Sequence, residues 1–121
     1  MKRIQYITIY WLPVIMYCLF IFVLSSLPYP EKLPKYPHID KLAHFIEYAA
    51  LGALFFRAFK TLQWLGKKHM LIFTSIAASI VYGLSDELHQ YFIPYRNASL
   101  LDIAADSAGS IFGVVFAANR P

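Results

Sequence analysis

The sequence predicts an all-α fold, a polytopic membrane bundle of four transmembrane helices, on three observations. Of its 121 residues, 59% are hydrophobic and 15% charged, and the mean hydropathy is +0.50, a balance that a soluble domain this short would struggle to keep in solution. The apolar residues gather in four stretches, each long enough for a hydrocarbon core of roughly 30 Å, which about 20 helical residues cross. No connection between them exceeds about a dozen residues, and a helix satisfies its own backbone groups in lipid.

The first span is expected from Gln5 to Ser26. Lys2 and Arg3 before an apolar run are reminiscent of a signal peptide. The run from Ile4 to Leu27, however, is far longer than an h-region of roughly 7 to 15 residues, and no small-residue cleavage site closes it. A retained span is therefore expected. It holds the one cysteine, Cys18, so neither an intramolecular disulfide nor a multi-cysteine metal site can be built. Pro28, Pro30, Pro34 and Pro37 then predict an extended, non-helical arm that isolates the first helix.

The second span is expected from Asp40 to Lys60, and a connection from Thr61 to His69 carries Lys67 and Lys68. The third runs from Met70 to Phe92. The short link from Ile93 to Ala98 predicts that it pairs with the fourth span, Ser99 to Ala118, as a tight antiparallel hairpin. In the fourth span Ala105, Gly109 and Gly113 form a small-residue ladder that admits close approach of a neighbouring helix. With no internal repeat and no low-complexity tract, residues 1–121 read as a single transmembrane domain.

A net charge of +4 and a pI near 9.2 suggest nucleic acid only at first sight, because the eleven Lys and Arg sit between apolar runs and form no basic face. They anchor the spans, and no nucleic-acid partner is expected. Lys2, Arg3, Arg57, Lys60, Lys67, Lys68 and Arg120 fall on one side, and Lys32, Lys35, Lys41 and Arg96 on the other. The heavier side predicts both termini in the cytoplasm.

The polar residues inside the spans are one-sided. Asp40, His44, Glu47 and Tyr48 share a face at spacings of three and four. Tyr82, Asp86, His89 and Gln90 share another, with Glu87 turned about 100° away and in need of its own partner. Asp102 and Asp106 stand one turn apart. At about 1.5 Å per residue, His44, Asp86, His89 and Asp102 lie within roughly 10 Å of the non-cytoplasmic boundary, with Glu47 and Asp106 slightly deeper. An ionised group within a span costs about 2.5 to 3.5 kcal/mol even on lenient scales, so this density implies mutual pairing or a wet cavity.

Structural readings compete with functional ones. Asp40 reads as an N-cap, and Ser99-Leu100-Leu101-Asp102 as a capping box that starts the last helix. His44, Asp86 and His89 read equally as an interhelical clamp. Imidazole and carboxylate oxygens suit zinc or a harder divalent ion, but the HExxH spacing of a metalloprotease is absent. No cofactor is assigned and the metal question stays open. Asp86, Asp102, Asp106 and His44 suit acid–base work, while Ser25, Ser26 and Ser85 are nucleophile candidates by location only. Lys41 and Arg96 are placed to meet an anionic head group or phosphate, or simply to anchor the interface.

Asp40-Lys41-Leu42-Ala43-His44-Phe45, then Tyr82-Gly83-Leu84-Ser85-Asp86-Glu87-Leu88-His89-Gln90-Tyr91-Phe92, then Pro94, Arg96 and Asp102, form an ordered combination that resembles the VanZ-like membrane family. The likeness runs from about Leu24 to Gly113. It implies a helical integral protein of the bacterial cell envelope, in a family named for a member that lowers susceptibility to the glycopeptide antibiotic teicoplanin. It implies no particular reaction. By position, its motif residues here are Asp40, Lys41, His44, Tyr48, Gly83, Ser85, Asp86, Glu87, His89, Gln90, Arg96 and Asp102. The chain departs from the pattern at Asp106, where Asn is more usual, and at Tyr95, usually Gly.

Two functions are expected in order. The first is a non-catalytic protein of the bacterial cell membrane whose outward polar cup binds a lipid head group, a lipid-linked cell-wall intermediate or a lipoglycopeptide, and so changes antibiotic resistance. The second is an intramembrane hydrolase or transferase acting on a lipid-linked phosphate or ester, with His44, Asp86, His89 and Asp102 catalytic. Asp40, Lys41, Tyr48, Ser85, Glu87, Gln90, Arg96 and Asp106 would then hold the substrate. Proton-coupled transport ranks last, because polar groups do not run through the membrane depth. The partners expected are the bilayer and a lipid-like ligand, with a homodimer left open by the small volume of four helices.

Overall fold

The computed structural model describes residues 2–27, 37–62, 66–93 and 99–120. These form four helices long and apolar enough to cross a membrane, and no strand occurs among the described residues. They are α1, Arg3–Ser26; α2, Pro37–Phe59; α3, Lys68–Tyr91; and α4, Leu100–Ala118. Four such apolar helices imply a lipid bilayer around the chain. The ends fall within a few residues of expectation, with one informative difference. Pro37 opens α2, a position suited to a residue with no N–H to offer, so Asp40 sits in the first turn and is not the N-cap. The rest of the expected proline-rich arm, 28–36, lies outside the described residues, as does 94–98.

Helix α1 contains a π-type turn, Ile7–Trp11, just before Pro13. Proline has no N–H for the carbonyl four residues back, that of Ile9. Arg57 Nη1 of α2 donates to that carbonyl at 3.2 Å, with its guanidinium 4.8 Å from the Tyr10 ring centroid. Trp11 Nε1 donates to Thr61 Oγ1 at 3.2 Å. These contacts tie the start of α1 to the end of α2 and make the two antiparallel. Otherwise α1 buries only Val14, Ile21 and Ser25, with Tyr17 and Cys18 half-buried against the core, and much of its apolar surface faces outward.

The most extensive packing joins α2 to α4, which run parallel, and α3 and α4 form the antiparallel pair that the short link between them predicts. The cause of the α2–α4 packing is the small-residue ladder. A Cβ at Gly109 would collide with the Phe45 carbonyl, and one at Gly113 with the Ala49 carbonyl, so the glycines admit direct backbone contact with α2. Gly52 does the same from the opposite side, where a Cβ would stand 2.7 Å from Ser110 O. Helix α3 runs antiparallel to α4 and is pinned by Ser79 Oγ and Ser110 Oγ at 2.6 Å. Ser110 donates in turn to Asp106 O at 2.8 Å. Two apolar clusters, Ile21, Tyr48 and Leu51 and Phe56, Val114 and Ala118, fill the middle and the far end. The remaining end belongs to the polar residues.

Candidate functional site

Alternating directions bring the start of α2, the end of α3 and the start of α4 to the same end of the bundle, so titratable residues distant in sequence meet there. Asp40, His44 and Tyr48 line one face of α2, one turn apart. His44 is buried and its Nδ1 is 2.7 Å from Asp106 Oδ1. With the carboxylate accepting, Nδ1 carries the proton and Nε2 faces the mouth of the site, 3.9 Å from both Asp40 Oδ1 and Asp102 Oδ1. Lys41 Nζ contacts Asp102 and lies 3.3 Å from Asp40 Oδ2. The ammonium bridges an exposed carboxylate and a buried one.

The capping box at Ser99 is half formed. Ser99 Oγ accepts from Asp102 N at 3.1 Å, the usual N-cap bond, but its own N–H does not return to Asp102. It donates to Glu87 Oε2 of α3 at 3.2 Å. Glu87 thereby gains the separate partner that its orientation demanded, and the Asp102 carboxylate is released to Lys41.

On α3, Asp86 is buried and accepts from Tyr48 OH at 3.2 Å. Ser25 Oγ of α1 faces it without completing a hydrogen bond. His89 looks toward α1, where its Nε2 is 2.8 Å from Ser26 Oγ. Because Ser26 spends its proton on Phe22 O at 2.7 Å, His89 Nε2 is the donor. The Phe22 ring stacks on the His89 imidazole at 4.7 Å. Tyr17 OH donates to Glu47 O at 2.8 Å, and Tyr82 OH donates to Cys18 O, so α1 closes one side of the polar layer. Gln90 is buried on the same face of α3 as Asp86.

Of the twelve site residues expected from sequence, Asp40, Lys41, His44, Tyr48, Asp86, Glu87, Asp102 and Asp106 meet in this layer, and His89 and Gln90 flank it. Ser85 stands apart, exposed and bonded to Tyr82 O of its own helix at 2.7 Å. Arg96 lies outside the described residues. Sequence reasoning missed the contribution of α1, namely Tyr17 and Phe22. Their signal was aromatic residues at helical spacing with Ser25 and Ser26, which reads equally as lipid-facing surface.

Chemically, the layer offers paired acids and bases, with the Ser26 Oγ and His89 Nε2 contact at its edge. One nitrogen or oxygen from each of Asp40, His44 and Asp102 lies within 4.8 Å of the others, and the same holds for His44, Glu87 and Asp106. Beside the layer runs an apolar groove of about 440 Å³. It is lined by α1 from Trp11 to Phe22, with Phe55 and Tyr82 opposite.

No curated protein and no solved structure is significantly similar to the chain. The same motif residues that meet in the polar layer lie within a match, over residues 5–119, to the family model described as VanZ/LLP1, and the chain belongs to that family.

Proposed function

We propose that the chain is a protein of the bacterial cell membrane, with both termini in the cytoplasm, whose polar layer faces outward and binds the head group of a lipid or lipid-linked cell-wall intermediate. The observation that carries this reading is the junction of groove and polar layer at Phe22, which lines the groove and stacks on His89. From Trp11 to Phe22 the groove extends about 16 Å, the scale of an acyl chain, and it is lined almost wholly by apolar side chains. Lys41 and His44 supply positive or hydrogen-bonding groups for an anionic head group. The heavier basic loops support this orientation. In a VanZ/LLP1 protein, such a site would lower teicoplanin susceptibility by engaging the antibiotic's lipid tail or the cell-wall intermediate it targets.

A second reading is an intramembrane hydrolase or transferase. It is favoured by the His44–Asp106 pair at 2.7 Å, a ready proton donor and acceptor in a low-dielectric layer. Native mass spectrometry of the protein in mild detergent separates the two, with His44→Ala and Asp86→Ala alongside. The binding reading expects an intact lipid retained by the unaltered chain and weakened in both variants, with teicoplanin susceptibility rising in step. Conversion of the bound lipid, lost in both variants, refutes it in favour of the enzyme.

A further inference from the structure

Four carboxylates, those of Asp86, Glu87, Asp102 and Asp106, are buried in the layer. Their partners divide unequally. Asp86 has the Tyr48 hydroxyl, and Asp102 has the Lys41 ammonium, which also serves Asp40. Among the described residues Glu87 has one backbone N–H, and Asp106 one imidazole N–H. Each keeps one buried oxygen, Glu87 Oε1 and Asp106 Oδ2, with no hydrogen-bond partner among those residues. Both residues are almost wholly buried, Glu87 at 3% exposure and Asp106 at 1%. Lone carboxylate oxygens in such a setting carry a large desolvation cost. A cation shared between them removes it.

We propose that His44, Glu87 and Asp106 hold a divalent transition-metal ion that takes the place of the His44 Nδ1 proton, zinc being the best match to one imidazole and two carboxylates. One ligand atom from each lies within 4.8 Å of the other two. Ligands about 2.0 to 2.2 Å from a tetrahedral ion stand about 3.3 to 3.6 Å apart, so the side chains close by up to about 1.3 Å around it, a rotamer-scale adjustment. The three residues come from three different helices, α2, α3 and α4, whose backbones are fixed by the glycine contacts and the Ser99 cap. Imidazole in the donor set favours zinc-like ions over magnesium or calcium, which prefer oxygen alone. The neighbouring set of Asp40, His44 and Asp102 is the weaker candidate, because Lys41 already supplies its positive charge. Three protein ligands leave a coordination position open for an oxygen of an incoming anion. The ion site does not depend on what the groove binds.

The test is titration of Zn²⁺ into the tag-free full chain in detergent after chelator treatment, read by calorimetry and by metal content after gel filtration. The expected result is stoichiometric zinc that excess Mg²⁺ does not displace, weakened at least about tenfold by Glu87→Gln and by the isosteric Asp106→Asn. The proposal is overturned if the unaltered chain takes up no stoichiometric zinc, or if both variants bind as tightly as it does. It is overturned too if Asp40→Asn abolishes binding while they do not, since the ion then belongs to the other set. Should the variants fail to fold, the His44 ring nitrogen signals of the unaltered chain decide. They must shift on zinc saturation, and signals that stay in place overturn the assignment.

Discussion

Gly109→Ala is the most informative single change, because it connects helix packing to the site. A Cβ at position 109 would stand 2.9 Å from the Phe45 carbonyl carbon and 3.0 Å from its Cα, nearer still to the carbonyl oxygen, where ordinary contact begins at 3.4 Å. Those are backbone atoms of a helix, and the oxygen sets the displacement, so the two helices must part locally by about 1 Å. His44 directly precedes Phe45, and Asp106 lies one turn before Gly109. The same opening takes their 2.7 Å hydrogen bond to about 3.7 Å, beyond useful geometry. Overpacking and the broken charge-assisted bond together cost about 3 kcal/mol. The comparison variant is Gly83→Ala, whose Cβ meets Tyr48 Cε1 at 3.2 Å and Asp106 Cβ at 3.3 Å, contacts that need give by only a few tenths of an ångström. Alanine's better helix propensity favours both variants by about 1 kcal/mol and cancels in the comparison. Reversible unfolding in mixed micelles, followed by circular dichroism, should separate them by about 2 to 3 kcal/mol. A difference below about 0.5 kcal/mol would refute the claim that glycine-mediated contact holds the His44–Asp106 pair together.

Two further outcomes follow from the ion pair and the cap. Lys41→Met should destabilise by about 3 kcal/mol, the low end for stripping the partner from a buried charge because Lys41 is partly exposed. Adding Asp102→Leu should restore most of that in the same unfolding assay, whereas a single variant as stable as the double would show the ammonium to be dispensable. Ser99→Ala removes the hydroxyl acceptor of Asp102 N and should cost about 1 kcal/mol, visible as faster amide exchange confined to the first turn of α4. Unchanged exchange there would mean that Ser99 does not cap the helix.

The four spans were legible because apolar runs of about 20 residues admit few alternatives in lipid. Their boundaries moved by two or three residues where local chemistry intervened, as when Pro37 was drawn into α2. The one-sided layer was legible from arithmetic alone, since rise per residue and alternating direction fix depth without any knowledge of packing. Neighbours were harder to read. Chain connectivity identified the α3–α4 hairpin, but Gly109 and Gly113 face α2, and a ladder of small residues says that a helix comes close without saying which.

The Ser99-Leu100-Leu101-Asp102 sequence shows why the site needed three dimensions. A capping box and a functional aspartate predict the same residues, and the two readings differ only in where two groups turn, the Asp102 carboxylate and the Ser99 N–H. That choice is settled across the interface. Glu87 presents an oxygen to the Ser99 N–H, and Lys41 presents an ammonium to Asp102; both come from helices packed alongside. The bond that would have closed the cap is exchanged for one that ties α3 to α4 and another that ties α2 to α4. Capping and site assembly are therefore not rival explanations of Asp102. Its backbone starts the helix while its side chain, relieved of that duty, joins the charged layer.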